Sequence, residues 1–418
     1  MAVSFPLKKS SFLKITALLF PVFFIYGIAG LAPSCLGAAE DSPLTTDISG
    51  YAKTLNTFYQ SSGVTPDTIR NPSAGGERGE KLFDSLERIR LKLRSAYHFN
   101  LNQRILLKID YDHQANFGSG VGGNDFRYNQ EIAERQQFLD LRQTFAEQKG
   151  AFYGQRFYRA VAVYENSWFS ASAGRQQIPW GVAHFFTPTD LFNPYNPTQI
   201  ETDERSGVDA LSLTTNPIRG IKSQWVYTPR GAALHPQRFF SRISKEIQGY
   251  EVGLINGIIH RDYAAGFDVS GNIKESAVRT ELLFRAANQE RNFIKWTVNA
   301  DYNFPHNIYG LLEYHFNGEG RRRPQHYQRD RFARGEIQQM ARNYLAAVVG
   351  KDLTSLLRFE NRTIFNMDDV SFYVRPELRY EFLSNTLLTL AAQIYAGGKQ
   401  DELGQPENLY FAELKRTF

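Results

Sequence analysis

The feature that most constrains this chain is an alternation of ionic and greasy residues, repeated over many short segments. From Arg88 to Phe99 one parity carries Arg88, Arg90, Lys92, Arg94, Ala96 and His98, and the other carries Ile89, Leu91, Leu93, Ser95, Tyr97 and Phe99. A period of two places these sets on opposite faces of an extended strand, whereas a helix would mix them around its circumference. After a polar link at Asn102, Arg104, Leu106, Lys108, Asp110 and Asp112 interleave with Ile105, Leu107, Ile109 and Tyr111, which predicts a hairpin. The pattern returns where Val278, Thr280, Leu282 and Phe284 oppose Arg279, Glu281 and Arg285, and again through Trp296, Tyr314, Val374 and Tyr380. One such strand would suit a soluble sandwich. Charged faces on strand after strand leave no second layer to cover the apolar ones.

A bilayer can cover them. Hydrocarbon offers no hydrogen-bond partners, so strands cross it only as a closed sheet with every backbone group paired. The composition agrees: 42% hydrophobic residues is too polar for a bundle of membrane helices, and 14% aromatic residues, with 32 Phe and 22 Tyr, suits rings at both membrane interfaces. The expectation is an all-β fold, a transmembrane antiparallel β-barrel of about 16–18 strands with short periplasmic turns and long extracellular loops. Both chain ends would be periplasmic.

The first residues read as an export signal. Lys8, Lys9 and Lys14 precede an apolar run from Ile15 to Ala32, and small residues follow around Gly37, Ala38 and Ala39. Residues 1–39 are therefore expected to be cleaved, leaving 40–418 as one barrel in a Gram-negative outer membrane. The only cysteine, Cys35, falls in the signal, and Ala32-Pro33-Ser34-Cys35 lacks the leucine of a lipoprotein box. The mature chain would have no disulfide, thiolate metal site or covalent haem, so no cofactor is expected.

Short links near Asn100, Asn307, Lys351 and Ser384 contrast with long polar stretches at 59–83, 114–133, 179–206, 318–337 and 398–406. Among the expected strands are 134–147 and 167–178. Residues 151–165 contain Phe152, Tyr153, Phe157, Tyr158, Val161, Val163 and Tyr164 and read equally as strand, loop or helix; as a strand they make the count odd. The chain ends with Tyr410, Ala412, Leu414, Arg416 and Phe418 on one parity. This resembles the C-terminal signature that the outer-membrane barrel-assembly machinery recognises, with Tyr410, Leu414 and Phe418 as its assembly signal. Arg416 departs from its apolar preference and would snorkel to the interface.

Gly174-Arg175-Gln176-Gln177-Ile178-Pro179-Trp180-Gly181, followed by Asp190 through Asn193-Pro194, resembles the GRQ-x-x-x-WG strand and Asp-x-x-Asn-Pro loop of porin-like outer-membrane barrels, including alginate-export-like members. Asp301-Tyr302-Asn303-Phe304 and Glu313-Tyr314-His315-Phe316-Asn317-Gly318 resemble further short motifs of that family. The resemblance implies a channel fold and carries no particular solute.

The expected pore lining is Arg88, Arg90, Lys92, Arg94, Arg104, Lys108, Arg142, Arg279, Arg285, Arg358, Arg362, Arg375 and Arg379, partly neutralised by Asp110, Asp140, Glu281, Asp301, Glu313, Glu360, Glu377 and Glu381. Such a lining would favour anions, or it would serve as inter-strand ion pairs stiffening a wet wall. Residues 180–206, with Asp190, Glu201, Asp203 and Glu204, read either as a constriction folded inward or as an outer loop. Arg321, Arg322, Arg323, His326, Arg329, Arg331 and Arg334 form a basic loop, either merely solvated or in contact with lipopolysaccharide phosphates or anionic solutes. The net charge of +5 is spread along strand faces, so lipid and lipopolysaccharide are expected partners and nucleic acid is not.

The eight histidines lack metal-ligand spacing, and His315 with Asn317 or His98 with Ser95 are isolated pairs. The reading is therefore not an enzyme, with a barrel enzyme kept only as the remotest option. It is a porin-like channel for passive diffusion of small hydrophilic, perhaps anionic, solutes. The main alternative is a sleeve around a periplasmic or extracellular multihaem cytochrome in an electron conduit.

Overall fold

The computed structural model describes residues 43–60, 81–123, 126, 137–193, 196–201, 205, 207–218, 220–230, 236–288, 291–404 and 406–418. The expected signal and its cleavage site lie outside them. Nineteen strands run in chain order as β1 (Leu44–Gln60), β2 (Lys81–Asn100), β3 (Gln103–Gly118), β4 (Arg142–Gln148), β5 (Ala151–Glu165), β6 (Phe169–Gln176), β7 (Val208–Ile218), β8 (Ile221–Thr228), β9 (Arg238–Ile247) and β10 (Tyr250–Ile259). They continue as β11 (Asp262–Ile273), β12 (Ser276–Ala286), β13 (Phe293–Phe304), β14 (Ile308–Asn317), β15 (Asn343–Asp352), β16 (Leu357–Asn366), β17 (Phe372–Leu383), β18 (Thr386–Ala396) and β19 (Leu409–Thr417).

Every pairing between these strands is antiparallel, and β19 returns to β1, so the sheet closes. Eighteen strands form the ring, because β3 pairs directly with β5 and β4 pairs only with β5. This decides one open segment and corrects one expectation. The ambiguous segment 151–165 is a full wall strand, and 134–147 is not: Arg142–Gln148 is a side strand lying beyond the end of β6. The first strands also run further than their alternation suggested, with β2 starting at Lys81 and β3 ending at Gly118.

The wall is inside out relative to a soluble protein. Asp110, Asp268, Glu281 and Glu313 are fully buried on the inner face, whereas Leu211, Leu254 and Leu312 are more than half exposed outside. Paired rings mark the short-turn end of the apolar band, including Tyr97 with Phe99, Tyr302 with Phe304 and Tyr380 with Phe382. Turns at that end are tight. At Gln248-Gly249 both residues have positive φ (52° and 83°), the geometry that two-residue hairpins require and that glycine adopts without steric penalty.

The ring is sealed by the last residue. Phe418 and Gly50 exchange both backbone hydrogen bonds, at 2.9 and 3.0 Å. A Cβ on Gly50 would stand 2.9 Å from the Phe418 ring and 2.3 Å from the Arg90 carbonyl oxygen. Gly50→Leu should therefore destabilise the closed barrel by about 1–3 kcal/mol or more, read as a lower temperature for the loss of the compact, heat-modifiable band on gels.

Candidate functional site

The lumen is shaped by the described residues of 177–207, which leave the wall after β6 and fold inward. Gly174 makes the exit possible: its φ of 123° is open to glycine, and a Cβ there would lie 2.3 Å from the Ala160 carbonyl oxygen. Arg175 then ties the exit shut. Its guanidinium donates to both carboxylate oxygens of Asp209 at 3.0 Å, to the Leu139 carbonyl at 2.5 Å and to the Phe157 carbonyl at 3.3 Å. Asp209 also accepts from the backbone N–H groups of Phe138 and Leu139. Residues 138–139 are thus tied to the exit, and Leu141 with β4 occupies the edge of β5 that β6 abandons, which explains why a side strand exists at all. Gln176 donates to the Ala210 carbonyl at 2.9 Å and keeps β6 joined to β7 up to the turn.

From that exit the loop crosses the barrel. Trp180 is buried, donates to Gln224 on β8 at 2.8 Å and meets Phe192 edge-on at 5.0 Å. Ile178, Trp180 and Phe192 pack on Val226, Phe240 and Ile255 of the inner wall. Gly181 allows the tight fold, since a Cβ would sit 2.6 Å from Thr187 Cβ.

Two wall carboxylates then hold the loop backbone. Glu281 on β12 accepts from the N–H groups of Val182 (2.6 Å), Ala183 (2.5 Å) and Thr189 (3.0 Å) and from the Thr189 hydroxyl (2.7 Å). Glu313 on β14 accepts from the N–H groups of His184 (2.8 Å), Phe185 (3.1 Å) and Phe186 (2.7 Å) and from Asn299 (2.9 Å). Charge-assisted bonds of this kind satisfy loop donors that have no strand partner. Asp190 caps the next turn by accepting from the Asn193 N–H at 2.9 Å and pairs with Arg205; burial pushes its carboxyl up to about 6 despite Arg205. Asn193 in turn accepts from the Ile178 N–H at 3.1 Å.

The returning limb meets the opposite wall. The Thr198 carbonyl accepts from Gln393 on β18, the Gln199 carbonyl accepts from Arg375 on β17, and Glu201 pairs with Lys53 on β1 and Arg88 on β2. The loop is thus a constriction spanning the lumen, and the outer-loop alternative is set aside. Asp190 faces its own loop's Arg205, while Glu201 does meet wall cations; Pro194, Asp203 and Glu204 lie outside the described residues.

The expected lining residues fall into groups. Arg88, Arg90, Lys92, Arg94 and Lys108 share the inner face of β2 and β3 with Asp110 and Asp112. Asp112 takes Arg90 and Arg156, with Arg88 at 3.8 Å, and Asp110 takes Arg94 with Arg159 at 3.6 Å. The Arg90 guanidinium stacks 3.7 Å from the Tyr158 ring centroid. Lys92 lies 5.8 Å from the Tyr51 ring, and Lys108 is exposed. Arg104 pairs with Glu165 near the short turns, and Arg142 sits on the side strand beside Asp140. Around the rest of the wall Arg279 meets Asp301, Arg285 meets Asp262, Arg358 meets Asp352, Arg362 meets Glu360, and Arg375 and Arg379 meet Glu377.

The basic loop splits in two. Arg321 and Arg329 bind carbonyls, and Arg331 and Arg334 bind Glu319 and Glu336, whereas Arg322, Arg323 and His326 are exposed. Tyr327, Ile337, Met340 and Ala341 of this loop pack on Phe185 and Phe186, so an apolar plug fills the side of the lumen against β14–β17. The isolated histidine pairs are drawn into other contacts. His315 is stacked under Phe186 at 4.7 Å and bonded to Thr297, and Ser95 bonds to Thr46 on the face opposite His98.

Sequence reasoning missed the anchoring role of Glu281 and Glu313, which it read as lumen charges, and the partnership of Arg175 with Asp209. The signal available was weak: acids at mid-strand on inward parity, facing a long loop rich in unpaired N–H groups. It also missed Glu402, a buried acid that accepts from Tyr344 (2.5 Å), Asn366 and the N–H groups of Met340 and Ala341. Burial pushes its carboxyl from 4.5 up to about 7, against the lowering effect of those donors.

No protein-family model matches the chain, and no curated protein matches its sequence. Solved structures do match its fold. OccK7 (OpdD) of Pseudomonas aeruginosa superposes with a TM-score of 0.53 at 8% identity, covering 89% of this chain and 98% of that one. OccK5 (OpdH) of the same organism gives 0.52 at 10% identity over 89% and 97%, and OpdQ gives 0.52 at 10% identity over 90% and 98%. The fold is that of outer-membrane porins.

Glu313→Gln should weaken loop seating by about 1–3 kcal/mol, seen as faster proteolysis within 182–189, with Glu281→Gln behaving alike. The raised Glu402 carboxyl means that loop docking takes up a proton. Its contribution is complete below 4.5 and lost as pH rises through about 7, so the protection factors of the Met340 and Ala341 amides, with the intrinsic pH dependence of exchange divided out, should rise from pH 8 to pH 5, and Glu402→Gln should flatten that rise.

Proposed function

We propose that the protein is a passive outer-membrane channel for small hydrophilic solutes, with a preference for anions. The observation that carries the reading is the asymmetry of the inner wall. Between the Arg104–Glu165 pair and the Asp84 level, Arg88, Arg90, Lys92, Arg94, Lys108, Arg156 and Arg159 share the inner face of β2, β3 and β5 with Asp110 and Asp112, and Arg88 also meets Glu201 of the loop. A surplus of one sign along a narrow, low-dielectric passage raises the local concentration of counter-ions. The apolar plug takes up the other side, which supports a passage running past these cations.

A sleeve around a cytochrome is not favoured, because the inward loop and the plug occupy the space that a partner would need. Insertion by the assembly machinery through Tyr410, Leu414 and Phe418, contact of Arg322, Arg323 and His326 with lipopolysaccharide phosphates, and the kinship suggested by the GRQ-x-x-x-WG pattern belong to the same proposal.

The test is electrical. Purified protein in planar bilayers under a KCl gradient should give discrete conductance steps and a reversal potential displaced towards the chloride equilibrium potential. A cation preference would remove the anion part of the reading, and absence of conductance would remove the channel.

A further inference from the structure

Nearer the short turns than the loop anchor at Glu281, the inner wall of β8–β12 holds a cup of about 480 Å³. Two strands, β6 and β7, separate it from the cations of β2, β3 and β5. Its inward residues follow from the register: Lys222 stands opposite Ser244, Glu246 opposite Glu251, Glu251 opposite Ser270, and Ser270 opposite Arg279.

Glu246 and Glu251 thus face each other directly, an arrangement that destabilises a sheet unless a cation answers it. Arg242 reaches Glu251 at 3.2 Å, but Asp268 holds the same guanidinium through two bonds of 3.1 and 2.7 Å. Gly253 permits that arrangement, since a Cβ there would stand 2.6 Å from Asp268 Oδ2. Arg279 is likewise committed, to Asp301 at 2.6 Å and Asn299 at 3.2 Å. Lys222 and Glu246 occupy diagonal positions on neighbouring strands, and neither forms an ion pair among the described residues. The floor of the cup is also unsatisfied. Ser244 is 6% exposed, and its hydroxyl has no hydrogen-bond partner among the described residues, whereas buried polar groups are ordinarily bonded. It lines the cup beside Lys222 and Glu246, with Ser270 and Asn272 on the other side.

We propose that the cup binds a small zwitterion, an amino acid or short peptide, with Lys222 on its carboxylate, Glu246 on its ammonium and the Ser244 hydroxyl between them. Charge decides the class of ligand. A simple anion would satisfy Lys222 but add to the repulsion between Glu246 and Glu251, and a simple cation would relieve those acids but oppose Lys222. A dipolar solute answers both. The binding site stands on its own geometry, and its use as the last station before a solute leaves at the short-turn end rests on the channel reading.

The test is calorimetric titration of glycylglycine into the folded full chain in detergent at neutral pH. Wild type should saturate. Lys222→Gln and Glu246→Gln should each raise the half-saturating concentration by about tenfold or more, equivalent to about 1.4 kcal/mol. N-acetylglycine and glycinamide, which keep one charge each, should bind wild type as weakly as glycylglycine binds those variants. Lys108→Gln removes an exposed cation from the other wall and should leave the titration unchanged. No saturation in wild type, N-acetylglycine or glycinamide binding as tightly as glycylglycine, unchanged binding in either cup variant, or an equal loss in Lys108→Gln would each overturn the cup. If a cup variant yields no heat-modifiable barrel, the comparison of the three ligands on wild type decides by itself. Saturable binding by a protein that passes no current would refute the channel reading and leave the cup standing, and conductance without saturable binding would do the reverse.

Discussion

Closure of the sheet is the constraint on which the rest of this structure depends. A strand edge left open in hydrocarbon would expose a row of unpaired N–H and C=O groups, each costing several kcal/mol, so the barrel exists only if β19 finds β1. Their register runs from Tyr51 opposite Thr417 to Tyr59 opposite Leu409, and the final residue adds two more backbone bonds to Gly50. Once the ring is closed, side chains have only two destinations, and the alternation of charge and grease assigns them.

The same demand for paired backbone explains the interior. A segment that leaves the wall loses its ladder partners, and residues 182–189 recover them from Glu281 and Glu313. Arg175 does the corresponding work at the exit, where it stitches Asp209 to the carbonyls of Leu139 and Phe157. The consequence for the lumen is that inward carboxylates of β12 and β14 are committed to holding the loop, while the cations of β2, β3 and β5 outnumber the acids that share their face among the described residues. Structural and electrostatic roles have thus been divided between two sides of one wall.

Much of this was legible in the residues themselves. The inward parity of Arg88, Arg90, Lys92 and Arg94 and the hairpin at Asn102 follow from period and position, whereas the closing contact of Phe418 with Gly50 does not. The side strand was not legible: Arg142–Gln148 alternates no worse than a wall strand, and only the early end of β6 shows that β5 needs a different neighbour there. Nor could periodicity separate the pinned arginines of the outer loop, such as Arg331 on Glu319, from the exposed Arg322 and Arg323.

What the chain determines by itself is which face of each strand meets lipid, because that choice needs only the local period of two. Which ionic groups hold the loop and which face the lumen was decided by the tertiary arrangement. Glu313 meets the Phe186 N–H across 127 residues, and Lys53 meets Glu201 across 148. Such pairings depend on the path of the loop through the closed ring, and local sequence does not encode a distance that only closure creates.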